Sequence, residues 1–215
     1  MSYPERDWGS FWRTHKDTEN GVYGPPNSEL LEYARLSLDN RVGALALDVA
    51  SGDGRYAIPL AQMGFKVTAI DISKEAIDRL NERATLANPS LGIQAQEADI
   101  FDILGEKRSY DLVICSGFIE ETPQPKHEEL VLGLQELTNR SGINILRYVT
   151  EKKLSLDAEA EAVANHIQLQ SFYRSWNIVK SEIETNFRQA KIGRELNGII
   201  VNRFFRAATI VATKK

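Results

Sequence analysis

The sequence predicts a doubly wound α/β fold built on a mostly parallel sheet, and three observations predict it. Short apolar runs alternate with helical patterns from Leu45 onward; glycines at 52 and 54 lie between the first run and the first helix; and the chain ends on two extended runs with no helical period. Strands separated by helices pair in parallel through right-handed crossovers.

Each element follows from its own pattern. The first forty residues are expected to form a helical cap, residues 1–40, on a core of residues 41–215. Within it "SELLEYARLSL", from Ser28, is an amphipathic helix, and Trp8, Phe11 and Trp12 share a helical face. That face suits core packing or a lid over a ligand crevice, and the pattern leaves both open. "ALALDVA" is the first strand, followed by a helix to Met63 with Gly64 as C-cap and a bend at Pro59. "FKVTAID" is the second strand, and Ser73 caps the helix after it. "GIQAQEAD" and "YDLVICSG" are the third and fourth strands. Pro123 and Pro125 introduce a helix near Lys126 to Leu137, then an "NRSG" turn and the strand "INILRYV" follow. Leu154 to Trp176 is mostly helical. "NIVKSEIETNF" and "RFFRAATIVAT" are expected to form an antiparallel hairpin closing the sheet edge.

Composition narrows the function classes. The 215 residues, 42% of them hydrophobic, suffice for one well-filled domain. Net charge is −4 with signs mixed along the chain, which gives no electrostatic footprint for nucleic acid. No apolar run is long enough to cross a bilayer, and the first residues lack the apolar centre of a secretory signal, so a cytoplasmic location is expected. The single cysteine, Cys115, excludes an internal disulfide and reads as a small buried hydrophobe. His15, His127 and His166 show no ligand spacing and are expected at the surface; no metal is indicated. The partner these features favour is a small molecule, with the protein a monomer or a homodimer.

Gly52-Asp53-Gly54-Arg55-Tyr56-Ala57 fits the G-x-G-x-x-G/A turn of dinucleotide-binding sites. Its glycines permit a tight strand-to-helix turn and close approach to a ligand. Asp48 ends the first strand and Asp53 stands between the glycines. Two like charges at 4 Å repel by about 4 kcal/mol at an effective dielectric near 20, so this loop is expected to turn away a pyrophosphate and to favour a cation. S-adenosylmethionine, with a sulfonium and an α-amino group, is a ligand of that kind. Asp71 ends the second strand, where an acid accepts from ribose hydroxyls, a role shared with nicotinamide sites. Asp99 ends the third, where a carboxylate can accept from an adenine amino group, with Ile72 and Ile100 as walls. Each acid alone reads equally as a cap or a solvated strand end. Together they mark one edge of the sheet.

These stretches resemble the class I S-adenosylmethionine-dependent methyltransferases. "DVASGDGR" is similar to their first motif, with Ala50 at its first glycine; "VTAIDIS", "EADIFD" and "YDLVICSGFIEE" are similar to the second, third and fourth. The resemblance implies a Rossmann-like seven-stranded sheet, mostly parallel with an antiparallel C-terminal strand and helices on both faces. It implies S-adenosyl-L-methionine as cofactor, held by Asp48, Ala50, Ser51, Gly52, Gly54, Asp71, Ile72, Asp99, Ile100, Ser116 and Phe118. "SGINILRYVTEKK", "LQSFYRSWNIVKSEIETNF" and "NGIIVNRFFRAATIVATKK" are similar to the tellurite-resistance (TehB-like) group, which implies a small-molecule acceptor such as an oxyanion. Where that group tends to carry a His-Arg pair, this chain has Phe187 before Arg188.

Methyl transfer needs alignment and dehydration more than a conspicuous catalytic side chain. The acceptor-side candidates are Glu120 and Glu121, as base or as cation holders, and Arg147 at the end of the fifth strand; an anionic acceptor would call on Arg13, Arg147 or Arg188. Two rival functions are an NAD-dependent oxidoreductase, disfavoured by Asp48 and Asp53 and by the lack of a Tyr-Lys or His constellation, and a non-catalytic S-adenosylmethionine-binding module.

Overall fold

The computed structural model describes residues 7–15, 21–38, 43–151, 156–184, 188–196 and 199–215. Two helices precede the sheet. Helix α1 (Trp8–Thr14) is capped by Asp7, whose carboxylate accepts from Ser10 N–H, and α2 (Ser28–Ser37) by Asn27, whose side chain accepts from Glu29 and Leu30 N–H. Then β1 (Leu45–Val49), α3 (Ala57–Gln62), β2 (Lys66–Asp71), α4 (Lys74–Ala87), β3 (Ile93–Glu97), α5 (Ile100–Ile103) and β4 (Tyr110–Ser116) alternate as the pattern requires. Helix α6 (His127–Glu136), β5 (Thr138–Glu151), α7 (Leu156–Ser171), β6 (Asn177–Ile183), β7 (Arg188–Leu196) and β8 (Ile199–Thr213) complete the chain.

The sheet runs β3-β2-β1-β4-β5-β8-β6. β1 to β5 pair in parallel, whereas β8 is antiparallel to both β5 and β6. This is the expected mixed seven-stranded sheet. It carries an addition: the first half of β8 pairs with β7, through Arg188↔Phe205 to Leu196↔Ile199. The two C-terminal runs are thus not a simple edge hairpin. β8 lies inside the sheet, β6 forms the edge, and the segment between them supplies another strand.

Alternation along the strands separates two cores. Leu47, Val49, Val113, Cys115, Leu146 and Tyr148 pack on Leu130, Leu134, Leu169 and Tyr173 of the α6–α7 side. Ala46, Leu112, Ile114 and Ile145 pack on Leu30, Leu60 and Leu80 of the α2–α4 side. Buried Asn144 is fully engaged, donating to Leu134 O and Thr138 Oγ1 and accepting from the Tyr173 hydroxyl at 2.8 Å.

Three local expectations change. "NRSG" is not a turn before β5 but an irregularity within it: Tyr110 pairs with Thr138 and Leu112 with Ile143, and the intervening Ser141 takes φ 63°. Pro59 is the third residue of α3, in the first turn, where its missing N–H removes no intrahelical bond. α7 ends at Ser171, and turns carry the chain to Trp176. No helix among the described residues is long and apolar enough to cross a membrane.

Candidate active site

Parallel strands bring their carboxyl ends to one edge, and the register places Asp48 beside Ala69 and Ile114, Asp71 beside Glu97, and Ser116 beside Arg147. Asp48, Asp71, Ser116 and Arg147 are therefore brought together along that edge, with Asp99 two residues beyond β3. Ligands of open α/β sheets sit outside these strand ends.

The turn after β1 is tightly built. Ala50 (φ 53°), Gly52 (φ 53°) and Gly54 (φ 85°) all take left-handed backbone. Ser51 N–H donates to Ile70 O, and Gly52 N–H donates to Asp71 Oδ2, both at 2.9 Å. Asp71 Oδ1 accepts from Ser73 N–H at 2.9 Å, so this carboxylate ties the glycine turn to the start of α4. Burial raises its pKa against these two bonds. A carboxylate has about four lone-pair positions, which leaves room for a diol beside the two amides. Ile72 next to it is 56% exposed, a large apolar side chain left uncovered at this edge, while Ile100 is buried in the core. Asp99 Oδ1 caps α5 through Phe101 N–H at 3.0 Å. Phe118 is half-buried against the core below the loop after β4.

Asp48 is 2% exposed, and burial pushes its carboxyl up to about 8. Its Oδ2 and the Ser51 hydroxyl are buried without a hydrogen-bond partner. Buried polar atoms are seldom left so, and two of them at one glycine turn mark where a polar ligand would complete the bonding.

Asp53 does otherwise than expected. It is 1% exposed and already paired: Arg83 lies 2.9 Å from its Oδ2, which also accepts from Val22 N–H at 2.8 Å. Arg83 offsets its charge, which Asp71 still feels, and the pair fastens residues around Val22 to α4. Gly21 is required there, because a Cβ would fall 2.3 Å from Asp53 Oδ2 at φ +81°. With Asp53 paired and Asp48 protonated near neutrality, charge repulsion alone is a weaker bar to a pyrophosphate than the sequence suggests.

Helix α1 lies over the same turn. Trp12 is 3% exposed, and a Cβ on Gly52 would meet its indole at 2.9 Å. Arg13 pairs with Glu75, and Arg79 donates to His15 O at 2.8 Å.

On the acceptor side, the 3₁₀ turn Ile119–Glu121 follows β4. Glu120 Oε2 is shielded from solvent, and the charge of Glu120 is felt by Cys115 and Tyr148, raising both, although burial is the larger cause for each. Arg147 is 9% exposed; it donates to Thr209 Oγ1 at 2.9 Å and pairs with Glu184 at 2.6 Å. The side chain of Arg188 lies outside the described residues. Of the histidines expected at the surface, His166 is buried and His127 is half-buried and engaged. His127 places Nε2 at 2.9 Å from Thr122 O and 3.1 Å from Ile119 O, beneath the acidic turn. His166 is 7% exposed and lies between Tyr148 and Ser181. Its position on the inward face of α7, four residues after Ala162 and three before Leu169, was the signal available in sequence. No group of acidic, histidine or cysteine side chains suited to a metal is found among the described residues.

Residues 46–142, the span that builds β1 to the start of β5, match the methyltransferase domain family. Among curated proteins, the ubiquinone biosynthesis O-methyltransferase of Rickettsia typhi is 32% identical over 145 residues, covering 65% of this chain and 56% of that protein. The chain thus spans little more than half of that relative's length. The corresponding enzyme of Rickettsia prowazekii is 27% identical over 198 residues, covering 87% and 76%. Among solved structures, TehB from Haemophilus influenzae superposes with TM-score 0.65 at 19% identity, covering 88% of this chain and 63% of that one. N-methyltransferase NodS from Bradyrhizobium japonicum superposes with TM-score 0.64 at 12% identity, covering 97% and 99%. The methyltransferase-domain match thus falls on the glycine turn and the strand ends, and the sheet order around them is the fold of these solved methyltransferases.

Proposed function

We propose that the chain binds S-adenosylmethionine at the glycine turn and methylates a small molecule through a nucleophile that releases a proton. The observation that carries this is the pair of unsatisfied buried atoms, Asp48 Oδ2 and Ser51 Oγ, beside a turn whose backbone a side chain would obstruct. They fit a ligand with an ammonium and a carboxylate: Asp48 would accept from the former, and Ser51 would donate to the latter. Asp71 keeps acceptor capacity for a ribose diol, and Ile72 and Asp99 flank the place for a base. Ala50, Gly52, Gly54, Ile100, Ser116 and Phe118 shape the same crevice. When bound, the cofactor supplies a methyl carbon activated by its sulfonium. The protein's part is to align, exclude water and take a proton. Residues 1–40 act as a cap, with Trp12 closing the turn from above.

Glu120 and Glu121 are the proposed groups for the acceptor's proton. An uncharged acceptor is favoured over an oxyanion, because Arg13 and Arg147 are already paired with Glu75 and Glu184. Arg147 accordingly orders the mouth of β5 against β8. The relatives' printed description as O-methyltransferases supports a hydroxyl acceptor. Likeness to TehB keeps the oxyanion as a second reading. Transfer of labelled methyl from S-adenosylmethionine to catechol, benzylamine or tellurite separates them. Catechol labelling is expected. Labelling of tellurite alone would establish the second reading, and tight cofactor binding with no acceptor across a wider panel would make the chain a non-catalytic module.

A further inference from the structure

A buried chain of polar groups lies beside Glu120 and away from the cofactor turn. Tyr148, on β5 and 3% exposed, places its hydroxyl 2.6 Å from His166 Nδ1 on α7; His166 Nε2 lies 2.9 Å from Ser181 Oγ on β6. The turn bearing Glu120 packs on β5. Three elements thus meet at His166, and one of them, β5, also packs on the turn of the acceptor-side carboxylate. None of these groups is among those proposed above for the cofactor, and a core position asks for nothing this polar.

The two contacts are compatible with one tautomer in particular. Hydroxyl donors make bonds of about 2.5–3.0 Å and N–H donors bonds of about 2.7–3.2 Å. The short 2.6 Å contact suits a phenol O–H donating to Nδ1 with Nε2–H donating to Ser181, and this is the tautomer assigned below. Burial holds the imidazole neutral, lowering its pKa. The Tyr148 proton is then committed to His166, and the oxygen's lone pairs remain for another donor.

We propose that Tyr148 and His166 are positioning residues for Glu120: His166 turns the phenol so that its oxygen, not its proton, receives the carboxyl group once Glu120 has taken a proton. This rests on the proposed role of Glu120. As a hydroxyl acceptor is methylated, its O–H bond breaks and the proton passes to a Glu120 oxygen. The freed electron pair forms the O–C bond, and the pair of the broken C–S bond stays on sulfur. Protonated Glu120 donates to Tyr148 Oη and later returns the proton to solvent. The other titratable groups near the phenol are Cys115 of β4 and Tyr173 beyond α7; both are raised by burial and remain neutral.

The test reads the protein without cofactor. With glutamate labelled at Cδ, and the resonance assigned by Glu120→Gln, the Glu120 titration midpoint is followed by NMR. Tyr148→Phe should lower it by about one pH unit, the equivalent of one lost hydrogen bond. His166→Leu, which frees the phenol proton to turn toward the carboxylate, should lower it too, and adding His166→Leu to Tyr148→Phe should change nothing further. Should His166→Leu fail to fold, Ser181→Ala gives a smaller fall of the same sign. Nitrogen-15 shifts should show His166 protonated at Nε2. An unchanged midpoint in Tyr148→Phe, an effect of His166→Leu that persists without the phenol oxygen, or a proton on Nδ1 overturns the proposal. Full methyl transfer to catechol by Glu120→Gln sinks the base role instead, a separate measurement.

Discussion

On the proposed placement of the ligand's ammonium, Asp48 should make cofactor binding a proton-releasing reaction. Its carboxyl titrates at about 8 in the free protein because burial disfavours the anion. At pH 7 a group of that pKa is about nine-tenths protonated. An ammonium docking against it favours the carboxylate, so binding S-adenosylhomocysteine, which keeps the α-amino group, should expel about 0.9 proton. The ligand's own amino group, more basic than a peptide terminus because a carboxylate adjoins it, is already almost fully protonated at pH 7 and takes up little in return. Titration calorimetry in buffers of different ionisation enthalpy measures this directly. Asp48→Asn should release almost none and should remove the pH dependence, whereas in the parent protein affinity should improve up to about tenfold per pH unit below pH 8. The same group affects stability with a defined sign. Folded Asp48 titrates near 8 and unfolded aspartate near 4, so the folded chain holds the extra proton in between and loses stability as pH rises through that window. Asp48→Asn should therefore raise the melting temperature of the free protein more at pH 8 than at pH 5. Equal proton release by parent and variant would refute this reasoning.

Two further substitutions test the geometry of the turn. Ala50 occupies left-handed backbone at φ 53°, which costs about 1–2 kcal/mol, partly offset by the entropy a glycine would add to the unfolded chain. Ala50→Gly should stabilise by about 0.5–1 kcal/mol and raise the melting temperature by about 2 °C; a fall would show that the methyl group makes compensating contacts. Arg83→Met leaves Asp53 buried and unpaired, and urea denaturation should show a loss of about 3 kcal/mol, with less than 1 kcal/mol contradicting the buried ion pair.

The strand ends were legible because buried parallel strands are short, apolar and punctuated: "ALALDVA" and "YDLVICSG" place Asp48 and Ser116 without any tertiary knowledge. Asp71 was found by position, though not its bonds to Gly52 and Ser73 N–H, which depend on how the turn folds back. Asp53 was misread because its partner Arg83 stands thirty residues away, on a helix face that sequence does not orient. His166 and His127 were misplaced for a similar reason: helical spacing identifies an inward face, but not the Tyr148 or Thr122 that accompanies it. The extra strand β7 carries mixed, charged residues without alternation, so its pairing with β8 has no local signature. The irregularity at Ser141 imitates a turn because strand interruptions and loops use the same small residues.

The turn around Gly52 is proposed to hold an adenosyl amino acid and not a dinucleotide. Calorimetry of the full chain with S-adenosylhomocysteine and, separately, with NADH tests it most directly. Saturable one-to-one binding of the first, lost in Asp71→Asn, and no heat from the second are expected. Saturable binding of NADH, with none of S-adenosylhomocysteine, would contradict it.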